Sequence, residues 1–259
     1  MTLRKLKNYL ADTKETMMTK IITCLDGSAL TAAVTDAAIW TSNKLNKTLL
    51  LLHTLEKEQQ HGADDLTGII GFGTRSALLE EMTKLDEQRS KVALKIGKEL
   101  LNGAVNKAES AGVVAVESMQ RHGDLVEAIH DLEDQTRLII IGRNGQGHDD
   151  NVNALGANIE TLLRKAAHPV LLIPDTFKTP DSFMIAYDGR ETAEKALQKV
   201  IDGGLLHGLH CHLVAVKNNL SNQKEKLEVA EQKLVDKGFT VTTSFLEGNI
   251  HESLMTYKQ

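Results

Sequence analysis

The sequence predicts an α/β fold: a doubly wound parallel five-stranded sheet, followed by a partial second copy of the same unit. Three observations carry that expectation. Short, continuously apolar runs alternate with longer helical patterns, the pattern restarts after a polar linker, and three motifs recur in the same order in both halves.

The apolar runs of the first half are Ile21–Leu25, Thr48–His53, Val113–Val116, Leu138–Ile141 and Val170–Ile173. Unbroken apolar strands suit a parallel sheet covered on both faces, and the helical segments between them require right-handed crossovers. The expected strand order is 3-2-1-4-5. The longest helix is expected over about Thr74–Glu109, where Leu78, Met82, Leu85, Val92, Ile96 and Leu100 form one apolar stripe interrupted by Arg89. Core packing is the expected role of this stripe, although its 3.5-residue spacing also suits a coiled-coil seam. Before it, the glycine-bearing segment Gly62–Gly73 reads as a surface connection, with a lid over the sheet edge as the functional alternative.

After Pro174 and the polar stretch 175–182, Phe183-Met-Ile-Ala-Tyr-Asp-Gly189 repeats Ile21-Ile-Thr-Cys-Leu-Asp-Gly27. Cys211–Val216 takes the place of Leu49–Thr54, and Gly248–Leu254 that of Gly123–Ile129. The expected organisation is an extension over 1–16, a first domain over 17–174, a linker over 175–182 and an incomplete second domain over 183–259. The second copy has no counterpart of the last two strands, which leaves the Phe183 strand as a sheet edge; this half is expected to be covered by a partner or by the first half, or to be poorly ordered.

Composition excludes several classes of function. Of 259 residues, 41% are hydrophobic and 25% charged, which is ordinary for a folded protein. The net charge of −5 lacks the basic footprint of direct nucleic-acid binding. No apolar run reaches the length of a membrane span, and the N-terminus lacks the apolar centre of a signal peptide. Cys24 and Cys211 sit inside apolar runs and read as buried, inert thiols of a reducing compartment. His210 and His212 share one strand face but lack companion ligands for a metal. There is neither a Gly-x-Ser-x-Gly elbow nor a Walker lysine. Asp26-Gly-Ser-Ala stands where a dinucleotide-binding oxidoreductase would place Gly-x-Gly-x-x-Gly.

Doubly wound sheets bind ligands at the carboxyl ends of their strands, where the strand order reverses. Here Asp26-Gly-Ser28 and Gly142-Arg-Asn-Gly145 line that crevice, and the second segment runs on to a helix entered at Gly156-Ala157-Asn158. Glycine amides and a helix N-terminus are the parts of a phosphate cradle.

Together these segments resemble the universal stress protein family, in particular its tandem bacterial members with an adenine nucleotide alpha hydrolase-like sheet. In ATP-binding members the phosphate fingerprint is Gly-x2-Gly-x9-Gly-(Ser/Thr). The resemblance carries over to Asp26 and Thr54 on the adenine and sugar side, and to Gly142, Gly145, Gly156, Ala157 and Asn158 on the phosphate side. The sequence departs from it: ten residues separate Gly145 from Gly156, Ala157 replaces the hydroxyl residue, and Asp149 and Asp150 stand in the loop. Each charge-assisted hydrogen bond lost forfeits roughly 1.5–3 kcal/mol, so affinity should fall by about two orders of magnitude or more. In the second copy only Asp188 and Val216, on the adenine side, have counterparts.

The resemblance thus implies a non-catalytic cytoplasmic stress-response protein that acts through homodimerisation and protein contacts, with weak ATP or AMP binding at most. The alternative is an ATP/AMP-binding protein with slow ATP hydrolysis at the Gly142–Gly156 loop.

Overall fold

The computed structural model describes residues 20–55, 72–143 and 157–258, with the side chains of 72–79, 157 and 158 left aside. The chain divides into two compact units between Phe177 and Lys178.

In the first unit, strands β1 (Lys20–Cys24), β2 (Thr48–Leu55), β3 (Val116–His122), β4 (Thr136–Gly142) and β5 (Val170–Ile173) form one parallel sheet of order β3-β2-β1-β4-β5. This is the expected order. The helices are α1 (Thr31–Leu45), α2 (Phe72–Ser110), α3 (Leu125–His130) and α4 (Ala157–Lys165). The central strands are apolar on both faces because both are covered. Ile22, Cys24, Leu50, Leu52, Ile139 and Ile141 pack against α3 and α4, while Ile21, Leu49 and Leu51 are buried on the opposite face, toward α1 and α2.

Two sequence expectations need correction here. The third strand runs over Val116–His122, not Val113–Val116. An edge strand pairs on one side only, so Glu117, Gln120 and Arg121 can sit in it and no apolar run marks it. Val113 is buried in the turn after α2, where its N–H donates to the Ala108 carbonyl at 3.1 Å and Gly112 adopts φ +80°.

The second correction concerns α2. Its docked line is Gly97, Leu101, Ala104 and Ala108, in which the small residues Gly97, Ala104 and Ala108 let the helix approach the sheet. A Cβ at Gly97 would stand 2.2 Å from Gln120 Nε2 and 2.5 Å from His53 Cδ2. Half of the stripe expected in the core turns outward instead: Leu85, Val92 and Ile96 are 51%, 57% and 62% exposed, while Met82 and Leu100 are half-buried. Glycine and alanine carry little apolar signal, so the larger side chains drew the reading to the wrong face.

In the second unit, β6 (Ser182–Ala186), β7 (His210–Val216) and β8 (Thr240–Leu246) form a parallel sheet of order β6-β7-β8. Helices α5 (Glu191–Gly203), α6 (Gln223–Asp236) and α7 (Ile250–Lys258) accompany it. Leu197, Ile201, Leu227, Ala230 and Leu234 of α5 and α6 bury Cys211, Leu213 and Tyr187. Strand β6 lies at the sheet edge among the described residues, with Ser182, Met184 and Ala186 exposed.

The duplication extends to hydrogen-bond detail. Asp26 accepts the Ser28 N–H and Asp188 the Arg190 N–H, each at 2.9 Å, with Gly27 and Gly189 at φ +79° and +77°. Gly123 and Gly248 both adopt φ near +120°, and each is followed by a side-chain cap, Asp124 on Glu127 N–H and Asn249 on Glu252 N–H. A left-handed glycine and a cap at matched positions are costly coincidences unless one unit was copied.

Candidate functional site

The sheet order itself builds the crevice. In the first unit β1 lies between β2 and β4, and the registers Cys24↔Leu52 and Thr23↔Ile140 place Asp26, Thr54 and Gly142 near one level at the carboxyl end. Asp26 is exposed, Thr54 and Gly142 half-buried. Ala157 and Asn158 are the first residues of α4. Gly145, Gly156, Asp149 and Asp150 lie outside the described residues, as do residues 1–16 and the glycine-bearing segment up to residue 71.

The loop after β1 is held from within. The Asp26 carboxylate is engaged by the Ser28 N–H, and Ser28 Oγ accepts the Leu30 N–H at 3.3 Å. His53 Nδ1–H donates to the Leu25 carbonyl at 2.7 Å, which fixes the exit of β1 against β2. The His53 ring is buried beside Gly97 of α2.

Gly142 has a packing reason to be glycine. A Cβ there would stand 2.9 Å from Leu30 Cδ1 and 3.2 Å from Leu30 Cβ, with Val34 Cγ2 at 3.5 Å. Leu30 is itself buried, so the space a side chain would need is already filled by the entry to α1.

Arg121, which sequence reasoning missed, pairs with Thr54 in the β2–β3 register. Its guanidinium is 2.6 Å from Asp131 Oδ2. It lies in the polar edge strand that no apolar run marks.

In the second unit the corresponding Asp188-Gly189 turn is tied by side chains of the same unit. Asn218 Nδ2 donates to the Asp188 carbonyl at 2.8 Å, and Lys226 Nζ to the Gly189 carbonyl at 2.7 Å. Gln223, almost fully buried, donates to the Val216 carbonyl and accepts the Asn218 N–H, each at 2.9 Å. Val216, which the resemblance matches to Thr54, is itself buried. Asn218, Gln223 and Lys226 lie in a polar stretch without a motif, so only long-range pairing reveals them. Where the first unit has Leu25 and His53, this one has Tyr187 and Ala215. The Tyr187 hydroxyl donates to Glu194, which Lys233 also engages at 2.7 Å. Burial and the bond to Glu194 raise the Tyr187 pKa, while Lys233 and then Tyr187 hold the Glu194 carboxyl below its ordinary value.

Both cysteines are free and buried. Burial, with a lesser contribution from Asp26, pushes the Cys24 thiol up to about 12, and burial pushes Cys211 to about 11. Neither is a nucleophile at neutral pH. His210 and His212 do share a face, their rings 4.7 Å apart, with His210 on Thr242 and His212 on Tyr257. Among the described residues no three His, Cys, Asp or Glu side chains gather as a metal site, and no helix is long and apolar enough to cross a membrane.

A doubly wound five-stranded parallel unit and a partial three-stranded copy of it, each with an Asp-Gly turn at the carboxyl end of its first strand, define a tandem α/β protein. The sequence profile of the universal stress protein family matches residues 17–174, and the chain belongs to that family. It is 30% identical over 246 residues to universal stress protein Slr1230 of Synechocystis sp., spanning 93% of this chain and 86% of that one. Its fold is similar to that of a universal stress protein from Archaeoglobus fulgidus, at 18% identity and a TM-score of 0.65, covering 93% of this chain and 83% of the other. A putative universal stress protein from Pseudomonas aeruginosa shares the fold at 17% identity and a TM-score of 0.52, over 94% of this chain and 80% of its own.

Proposed function

We propose that this stress protein is non-catalytic and cytoplasmic, and acts through homodimerisation and contacts with other proteins rather than on a membrane or nucleic acid. Adenine nucleotide, ATP or AMP, binds weakly at most. Its residues would be Asp26 and Thr54 on the adenine side, and Gly142, Gly145, Gly156, Ala157 and Asn158 on the phosphate side. The domain limits we assign are 17–174 and 183–259, with 1–16 as an extension and 175–182 as a linker.

The observation that carries this reading is Leu30 against Gly142. A phosphate loop uses glycine so that backbone can approach the ligand; here the missing Cβ makes room for α1, so this glycine is needed without any phosphate. The donor set agrees. Ala157 brings no hydroxyl to the start of α4, and Asp149 and Asp150 add negative charge to the same loop. The net charge of −5 opposes nucleic-acid binding.

Equilibrium binding of labelled ATP with magnesium tests the proposal. The expected dissociation constant is above about 100 μM, and no phosphate should be released. Binding in the low micromolar range with slow phosphate release would replace it by the ATP-hydrolysing alternative.

A further inference from the structure

Helix α2 carries an apolar stripe that its own unit does not use. Met82, Leu85, Val92 and Ile96 recur at alternating heptad positions with Arg89 between them. At about 100° per residue they lie roughly a quarter turn from the docked line of Gly97, Leu101, Ala104 and Ala108. The ion pairs Glu80–Lys84 and Glu87–Lys91, at 2.8 and 4.0 Å, occupy the face opposite the stripe. Leu85, Val92 and Ile96 are each more than half exposed. A helix with ion pairs on one side and a 3.5-residue apolar seam on the other is built to meet a second helix.

We propose that this seam pairs, antiparallel, with α2 of a second copy of the chain, centred near residue 87. The inference rests on the homodimer reading above and names its surface. Charge fixes both occupant and direction. Centred there, Met82 meets Val92 and Leu85 meets Arg89, twice over by symmetry, and Glu81 lies beside Lys95 of the second copy at both ends. The one like-charge contact of this arrangement is Asp86 beside Asp86 of the second copy; a parallel pair would stack Arg89 on Arg89 and set Glu81 beside Asp86 twice over, three repulsive contacts with no attractive pair to offset them. The antiparallel arrangement also places the five-stranded sheets of the two copies at opposite ends of the coil, because the described buried residues of α2 lie within 97–108 and its contact with Gln120 is at Leu94.

Sedimentation equilibrium of the full chain without nucleotide, from 5 to about 200 μM, tests this over the range in which a short interface associates. The wild type should dimerise. Val92→Lys, at an exposed site, should leave the far-UV spectrum unchanged and weaken dimerisation at least about tenfold, since it buries two charges in the seam. Glu81→Lys and Lys95→Glu should each weaken it about three- to tenfold, and the double exchange E81K/K95E should restore it to within about twofold. A dimer indifferent to V92K would overturn the seam and leave the homodimer reading intact. Tightening by E81K would mean a parallel pair and overturn the proposal. A monomer throughout would overturn seam and homodimer together.

Discussion

Replacing Gly142 with alanine probes the packing that accounts for this glycine. The new Cβ would meet Leu30 Cδ1 at 2.9 Å and Leu30 Cβ at 3.2 Å. The terminal methyl can swing only into a buried neighbourhood, and the Leu30 Cβ moves only with the start of α1. Overpacking of this kind costs about 1–3 kcal/mol. With a urea slope of about 2 kcal/mol/M, the unfolding midpoint should fall by about 0.5–1.5 M. Trp40, the one tryptophan, lies on α1 with its ring 5.8 Å from Phe177, so its fluorescence reports the first unit. Leu30→Ala removes the Cδ1 clash and should reduce the cost of Gly142→Ala by about 1 kcal/mol in a double-mutant cycle. A midpoint unmoved by Gly142→Ala would refute the reasoning, because glycine would then not be there for Leu30.

Other outcomes follow from the same contacts. Gly97→Ala pushes a methyl into Gln120 and His53 and should cost about 2–3 kcal/mol in the same urea assay, without loss of secondary structure by circular dichroism. Cys24 and Cys211 should both resist a thiol reagent at pH 8 in the native protein and both react in denaturant, given thiols raised to about 12 and about 11. The Glu194 carboxyl is depressed in the folded state, so its interactions stabilise the second unit above the ordinary glutamate pKa of about 4.3 and are lost as pH falls through the lower folded value. Lys233→Met should move the Glu194 titration, read by carboxyl NMR shifts, upward; an unchanged titration would assign the depression to something other than Lys233.

Much of the fold is legible in the sequence because covered parallel strands must be apolar throughout. Ile21–Leu25, Leu138–Ile141 and Val170–Ile173 announce themselves in this way. Strand β3 does not, since an edge strand needs no such run. The face of α2 that docks is hidden for a related reason: close approach selects Gly97, Ala104 and Ala108, while the conspicuous Leu85 and Val92 point outward. At the crevice, Asp26 and Asp188 are visible as Asp-Gly turns after strands, and the structure shows both turns closed by the same hydrogen bond. The ties made by Asn218, Gln223 and Lys226 are not legible, because each depends on which carbonyl the fold brings near. Nor could spacing alone reveal that Gly142 yields its side-chain space to Leu30.

The most direct test of weak nucleotide grip is stability linkage, read through Trp40 in urea with and without 1 mM magnesium ATP. A dissociation constant above about 100 μM allows at most about 1.4 kcal/mol of added stability, whereas a low-micromolar site would add about 4 kcal/mol. The account predicts the smaller shift, a midpoint change under about 0.7 M urea. A shift near 2 M would contradict it.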